Sequence, residues 1–266
     1  MGMGDGALLT MNVNILGLTS AVLSIVAFAY TYATLRSRAL SVRLAWFCIF
    51  GVLSIPAILF VVYYLHVLPE WGWFYTLRSW RGSEGLSIFL GCAGGALAAL
   101  LVFPLFASVA FAFAPYVKPL VSPLEDSDLK DWWEGEVCRQ STASTCGPAS
   151  VCTVLKRLGA QPSETAAARA AYSTMSGTEA WYLARYVRSL GYVPRFYFTK
   201  TFDPSAGLPA VVGVLTGGNG HFIAVLDVTG DQVTIADPMR GEEHLPFQVF
   251  QKQYQFTGFH MVITKN

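Results

Sequence analysis

The chain has 266 residues, a formal net charge of +1, 53% hydrophobic residues and 13% charged ones. Soluble domains carry roughly 25% charged residues, so this composition argues against an ordinary cytosolic enzyme. The shortage has a boundary: residues 1–117 hold five Lys/Arg and three Asp/Glu, whereas residues 118–266 hold thirteen and fourteen. That division predicts a membrane part at 1–117, a linker at 118–135 and one domain of ordinary size at 136–266. The near-neutral second part has no basic block, which excludes an electrostatic footprint for nucleic acid. Five cysteines at irregular spacing form neither a secreted disulfide framework nor paired CxxC zinc ligands. No metal and no other cofactor is expected.

Three apolar stretches reach the roughly 20 residues that a bilayer-spanning helix needs: about 13–35, 44–66 and 86–114. No Lys or Arg precedes the first, and it is too long for the apolar core of a cleavable signal peptide. The third is too short for two full spans and reads as one long tilted helix, with a kink at Pro104. Within it Gly91 and Gly95 form a GxxxG pair suited to close helix packing; small residues that merely tolerate lipid would look the same. Arg36, Arg38 and Arg43 in the first loop, with Lys118, Lys130 and Arg139 after the third span, outnumber Arg78 and Arg81 in the second loop. The positive-inside rule then places the N-terminus outside and the C-terminal domain in the cytoplasm. Trp71, Trp73, Phe74, Tyr75 and Trp80 suit an interfacial aromatic belt, and a lid made by loop 67–83 is the alternative.

Pro115, Pro119 and Pro123 lead into an acidic run ending at Asp131, which reads as a short linker. Beyond it, 147–158, 164–173 and 179–190 are predicted helices, with Ser163 as N-cap of the second. After Gly191 come short β-rich runs at 195–199, 210–215, 222–228, 232–236 and 259–264, with a turn at Gly230-Asp231. Helices followed by strands make an α+β domain.

The densest chemical signal is the segment from Gln140 to Ala149. A polar loop leads into Cys146, and Gly147 and Pro148 open an apolar helix. A thiol at a helix N-terminus sits at the positive end of the macrodipole, which favours thiolate; a structural cysteine opening a helix would show the same residues. A thiolate nucleophile needs a base and the base an orienting group. His66 at a membrane boundary, His260 in a strand-like run and His244 in a surface turn have ordinary explanations. His221 differs, because Gly217, Gly218, Asn219 and Gly220 precede it and an apolar strand follows. Gly218 and Gly220 would let substrate approach the imidazole. If the strands around Gly230-Asp231 form a hairpin, Asp237 comes near His221 and can fix its tautomer. Cys152, six residues after Cys146 on the same helix, turns away from it and is predicted to be core. Cys138 is a free thiol or an adventitious disulfide partner, and free in a reducing cytoplasm.

With Gln140 six residues before Cys146, Cys146-Gly147-Pro148-Ala149, His221-Phe222-Ile223-Ala224-Val225 and Ala236-Asp237-Pro238 stand in sequence. In this the chain from about Glu136 onward resembles the bacteriocin-processing cysteine peptidases that remove double-glycine leader peptides. The resemblance implies an α+β papain-like cysteine peptidase domain, here preceded by three transmembrane helices. It implies Cys146 as nucleophile, His221 as base, Asp237 as its orienter and Gln140 in the oxyanion hole. Many members of that family have Asp immediately before the nucleophile, whereas this chain has Thr145; Thr145, Gly218 and Gly220 are the candidate substrate contacts. Many are also fused to an ATP-driven exporter. No GxxxxGK[ST] phosphate loop occurs here, so no nucleotide is expected, and a transporter would be a separate membrane partner. The expected activity is cleavage of a peptide or protein near the bilayer surface, after small residues or Gly-Gly. The alternatives are a non-catalytic peptide-binding module that recruits clients to a membrane complex, and a structural membrane subunit.

Overall fold

The computed structural model describes residues 14–64, 69–100, 113, 117–119 and 121–266. Two long apolar helices come first, α1 (Ile15–Leu35) and α2 (Leu40–Tyr64). After a short aromatic helix, α3 (Gly72–Arg78), comes α4 (Ser87–Leu100). By length and composition α1, α2 and the segment Ser83–Leu100 can each cross a membrane. Helix α4 lies tight against α1, and glycine makes that possible. A Cβ on Gly91 would stand 1.9 Å from Ser24 O, and one on Gly95 2.4 Å from Phe28 O. The GxxxG pair is therefore a backbone-to-backbone contact, not a lipid-facing accident.

Ser24 Oγ donates to Ser87 O at 2.8 Å, and α4 runs from there toward the far end of α1, where Arg43 Nη1 donates to Ala99 O. Phe113 packs against Ala21, near the start of α1. Residues 101–112, with the expected kink at Pro104, lie outside the described residues, as do Val13, His66, Ala114 and Pro115.

Hydrogen bonds tie the start of α1 and the second loop to the C-terminal domain. Asn14, which caps α1 through Gly17 N–H, donates through Nδ2 to Glu84 Oε1 at 3.3 Å and to Tyr182 Oη at 3.4 Å. Tyr182 belongs to the C-terminal domain. Arg185 from the same helix donates to Glu84 Oε1 at 2.5 Å and to the carbonyl oxygens of Arg78 and Trp80. The N-terminal end of α1, the second loop and the C-terminal domain thus share one end of the apolar helices; only Arg36, Arg38 and Arg43 are at the other. The aromatic belt is revised. Phe74 and Tyr75 are buried, and the Tyr75 ring packs 5.3 Å from Trp181 and 5.0 Å from Phe198. Trp73 and Trp80 remain exposed.

In the domain, Trp132–Glu134 (β1) and Val137–Arg139 (β2) form a hairpin, followed by α5 (Cys146–Arg157), α6 (Glu164–Ala170) and α7 (Ala180–Ser189). The strands after them are β3 (Tyr192–Phe198), β4 (Ala210–Thr216), β5 (Asn219–Thr229), β6 (Gln232–Asp237), β7 (Gly241–Pro246) and, beyond α8 (Phe247–Gln253), β8 (Gln255–Lys265). They form one antiparallel sheet in the order β3-β8-β4-β5-β6-β7. Alternation along the strands builds two apolar layers. Val211, Ala224, Ala236 and Met261 face α5 and α7, whereas Val212, Ile223, Ile235 and Val262 pack on Phe202, Phe250 and Tyr254. Ser163 caps α6 as expected, accepting from Ala166 N–H at 3.1 Å. The acidic run before β1 is anchored on α6, because Asp131 accepts from Ser163 Oγ and Thr165 N–H and Asp126 pairs with Arg169. His244, expected in a turn, lies in edge strand β7 beside Thr234 and Glu242.

Candidate active site

Cys146 is the first residue of α5, with Thr145 at the N-cap. One turn on, Ser150 Oγ donates to Phe222 O at 3.0 Å, which sets α5 across β5 directly beside His221. The approach needs glycine next to the cysteine: a Cβ on Gly147 would stand 2.8 Å from Leu183 Cδ1 and 3.3 Å from Phe222 Cδ2. Pro148 costs nothing in a first turn whose N–H groups have no helical partner. Cys146 is half-buried, while Cys138 and Cys152 are fully buried free thiols. Burial pushes the Cys152 thiol up, and its hydrogen bond to Cys138 adds to that.

His221 Nε2 donates to Asp237 Oδ1 at 2.8 Å, with both side chains almost out of solvent. The same imidazole is hydrogen-bonded to Cys146. With Nε2 engaged by Asp237, Nδ1 is the ring nitrogen left for the thiol. Burial pulls the His221 pKa down, but the hydrogen bonds to Asp237 and Cys146 and the charges of both outweigh it, and the imidazole is raised to about 9. Asp237 is pinned from three sides: it also accepts from Met239 N–H at 2.8 Å and from Tyr254 Oη at 3.1 Å. Burial would raise its carboxyl, yet these hydrogen bonds and the His221 charge hold it below the usual carboxylate range. Tyr254 escaped the sequence reading because nothing in spacing ties a tyrosine at the α8–β8 junction to an aspartate at the end of β6.

The loop from Gln140 to Cys146 is held to the same corner. Gln140 N–H donates to Pro238 O at 3.2 Å, and Gln140 Nε2 donates to Thr142 O at 2.7 Å. The Gln140 side chain is thus part of the loop before Cys146 and makes no hydrogen bond to the His221–Asp237 pair. Thr145, expected at the substrate, is instead fully buried. Its hydroxyl accepts from Thr142 N–H at 3.0 Å and hydrogen-bonds the Glu164 carboxyl. Gly217 and Gly218, with φ of +59° and +85°, form the two-residue turn between β4 and β5, where Thr216 pairs with Asn219. That turn requires positive φ, so Gly218 is explained by backbone conformation. Gly220, next to His221, faces open space. His260 is buried in β8 and stacks on Tyr197, and burial lowers its pKa.

This arrangement provides a half-buried cysteine at a helix start, an imidazole hydrogen-bonded to it and a carboxylate fixing the imidazole. Such a set performs acyl transfer through a thiol nucleophile. A family model described as the peptidase C39 family matches residues 135–266. An uncharacterized protein of Methanothermobacter marburgensis is 33% identical over 143 residues, covering 53% of this chain and 98% of that relative. A second, from Methanothermobacter thermautotrophicus, is 29% identical over 129 residues, covering 48% and 88%. Among solved structures, the peptidase domain of Streptococcus ComA, a bi-functional ABC transporter involved in a quorum sensing pathway, is 22% identical. It covers 49% of this chain and 98% of that chain, with a TM-score of 0.43. A double glycine motif protease from an AMS/PCAT transporter, in complex with its leader peptide, is 21% identical over 49% and 91% of the two chains, with a TM-score of 0.42. The expected papain-like arrangement, with helices first and an antiparallel sheet after them, is the fold of the domain, and the chain belongs to the peptidase C39 family.

Proposed function

We propose that the protein is a membrane-anchored cysteine peptidase that cleaves a peptide or protein substrate after small residues, Gly-Gly among them. The observation that carries this reading is the single imidazole of His221 engaged at once by Asp237 and Cys146. Cys146 Sγ attacks the scissile carbonyl while His221 holds the proton on Nδ1. As the tetrahedral intermediate collapses, the C–N bond breaks and that proton goes to the leaving amine. Water, deprotonated by His221, then hydrolyses the thioester and frees Cys146. Asp237 keeps the ring oriented and supports its positive charge. One amide proton of Gln140 goes to Thr142 O; the second, with the N–H of Cys146, is assigned to the oxyanion, where a donor is worth about 3–4 kcal/mol. Gly220 lies where the substrate backbone would pass beside His221.

Helices α1, α2 and Ser83–Leu100 are read as the anchor, with the peptidase domain and the N-terminal end of α1 on the cytoplasmic face. The two buried, unpaired thiols Cys138 and Cys152 support a reducing compartment. A peptide that reaches the membrane is the natural substrate of this geometry, and a separate transporter is a fitting partner. The test is a comparison of protein N-termini in cells producing the wild type or Cys146→Ala. New N-termini following small residues should appear with the wild type alone; identical sets in both reject the reading.

A further inference from the structure

Glu164 has no solvent contact and the chemistry above does not use it. It is the first residue of α6, yet its carboxyl reaches into the loop before the nucleophile. Oε1 accepts Ser141 N–H at 2.8 Å, Oε2 lies 2.5 Å from Ser141 Oγ, and the Thr145 side chain hydrogen-bonds the same group. Ser141 Oγ is also held from the other side: it accepts Lys130 N–H at 2.7 Å and lies 2.8 Å from Lys130 O. A serine hydroxyl has one proton, so it cannot donate both to Lys130 O and to an ionised carboxylate. The set closes when Glu164 carries a proton. Glu164 then donates to Ser141 Oγ, Ser141 Oγ donates to Lys130 O, and Ser141 N–H donates to Glu164 Oε1. Burial raises the Glu164 carboxyl, and although the hydrogen bonds from Ser141 and Thr145 oppose this, the net shift is upward. The titratable groups facing it are Asp131, whose negative charge adds to the rise, and the Cys152 thiol.

We propose that Glu164 is a positioning residue for the peptidase site, a buried carboxylic acid whose hydrogen bonds to Ser141 and Thr145 fix the backbone between Gln140 and Cys146. This rests on the reading of Cys146 as nucleophile. Glu164 acts through the loop: its grip sets where the Gln140 amide and the Cys146 N–H stand relative to each other. Displacing such groups by about 1 Å costs about 10²-fold in rate.

The test uses the full-length protein in detergent micelles with a fluorogenic peptide ending in Gly-Gly. Glu164→Gln should keep kcat within about threefold of wild type, because a carboxamide accepts from Ser141 N–H and donates to Ser141 Oγ. Glu164→Ala should lower kcat about 10- to 100-fold with KM changed less than about threefold. Wild-type kcat in a folded Glu164→Ala variant overturns the proposal, as does a Glu164→Gln variant no better than Glu164→Ala. If Glu164→Ala does not fold, Ser141→Ala reads the same link: a kcat loss beside an intact Glu164→Gln supports it, and wild-type kcat overturns it. Cys146→Ala is run alongside. Activity surviving that change defeats the peptidase reading itself, whereas its loss leaves Glu164 to be judged on its own variants.

Discussion

Asp237 faces His221 because strand β5 carries one extra residue. From the Gly230-Asp231 turn the ladder pairs Thr229 with Gln232, Val228 with Val233 and Asp227 with Thr234. Continued without interruption, it would set Ala224 opposite Asp237, three residues from His221 and so on the other face of the sheet. Instead the register shifts between Val225 and Asp227, so that Val225 meets Ile235 and Ala224 meets Ala236. The next position opposite Asp237 is then Ile223, two residues from His221 and on its face. A β-bulge at Leu226 thus turns a neighbouring aspartate into a partner at 2.8 Å, a use of bulges that re-aims a side chain next to a site.

Asp237→Asn should act on the pH profile as well as on the rate. The wild-type imidazole is raised to about 9, so kcat/KM should fall as pH rises through about 9, where His221 loses its proton. The asparagine variant removes a raising influence, so its alkaline limb should move to lower pH. Its rate should drop about 10²- to 10⁴-fold, by comparison with such triads. Stability follows the same signs. The His221 contribution is complete below about 6.5, its unfolded value, and lost as pH rises through about 9. The Asp237 contribution is present above the unfolded carboxylate value and lost as pH falls through its lowered one. Rate profiles and thermal melts across pH check both.

Gly147→Ala should loosen the nucleophile helix. The new methyl would stand 2.8 Å from Leu183 Cδ1 and 3.3 Å from Phe222 Cδ2, so α5 must shift or the Leu183 side chain must turn. Overpacking of this kind costs about 1–3 kcal/mol. A lower melting temperature with reduced kcat is expected, and an unchanged melt would show that Leu183 gives way freely.

Much of this site was legible beforehand, and the reasons for the rest are physical. Cys146, Gly147, His221 and the Gly230-Asp231 turn carry local signals: a helix start, a close approach and a positive-φ hairpin. The face on which Asp237 lands depends on a bulge, which shows in no periodicity. Thr145 is a substrate candidate because many relatives of the resembled family carry Asp there; that its hydroxyl turns inward to Thr142 and Glu164 shows in no spacing. Strand β7 was missed because Gly241-Glu242-Glu243-His244 has the polarity of a turn, which an edge strand tolerates. The aromatic second loop has the composition of a membrane interface; burial of Phe74 and Tyr75 became visible only once α7 and β3 were placed against them.

Breaking the Glu84–Arg185 pair should loosen the domain from the apolar helices. Glu84 is fully buried and Arg185 nearly so. Removing one partner strands the other charge, at a cost of about 3–5 kcal/mol. Arg185→Ala should lower the melting temperature in detergent and speed proteolysis between residues 79 and 84. Glu84→Gln with Arg185→Met should recover part of the loss, since it removes the stranded Glu84 charge while Arg78 keeps Ser83 O and the Phe60 ring as partners.

The shared end of the apolar helices makes a topological prediction. Ser37→Cys and Trp80→Cys, each in a background lacking Cys48 and Cys92, should react with a membrane-impermeant maleimide from opposite faces of sealed vesicles. Trp80→Cys should label from the face on which protease digests the peptidase domain. Labelling of both positions from one face would contradict the arrangement.

The proposed activity depends on attack of Cys146, activated by His221, on a peptide carbonyl. It is tested most directly by treating the full-length protein with a Gly-Gly peptide bearing a C-terminal vinyl methyl ester and mapping the adduct by mass spectrometry. One adduct is expected, on Cys146, and its formation should slow at least about 100-fold in His221→Ala. An adduct on Cys138 or Cys152 instead, or equal labelling of Cys146 with and without His221, would contradict it.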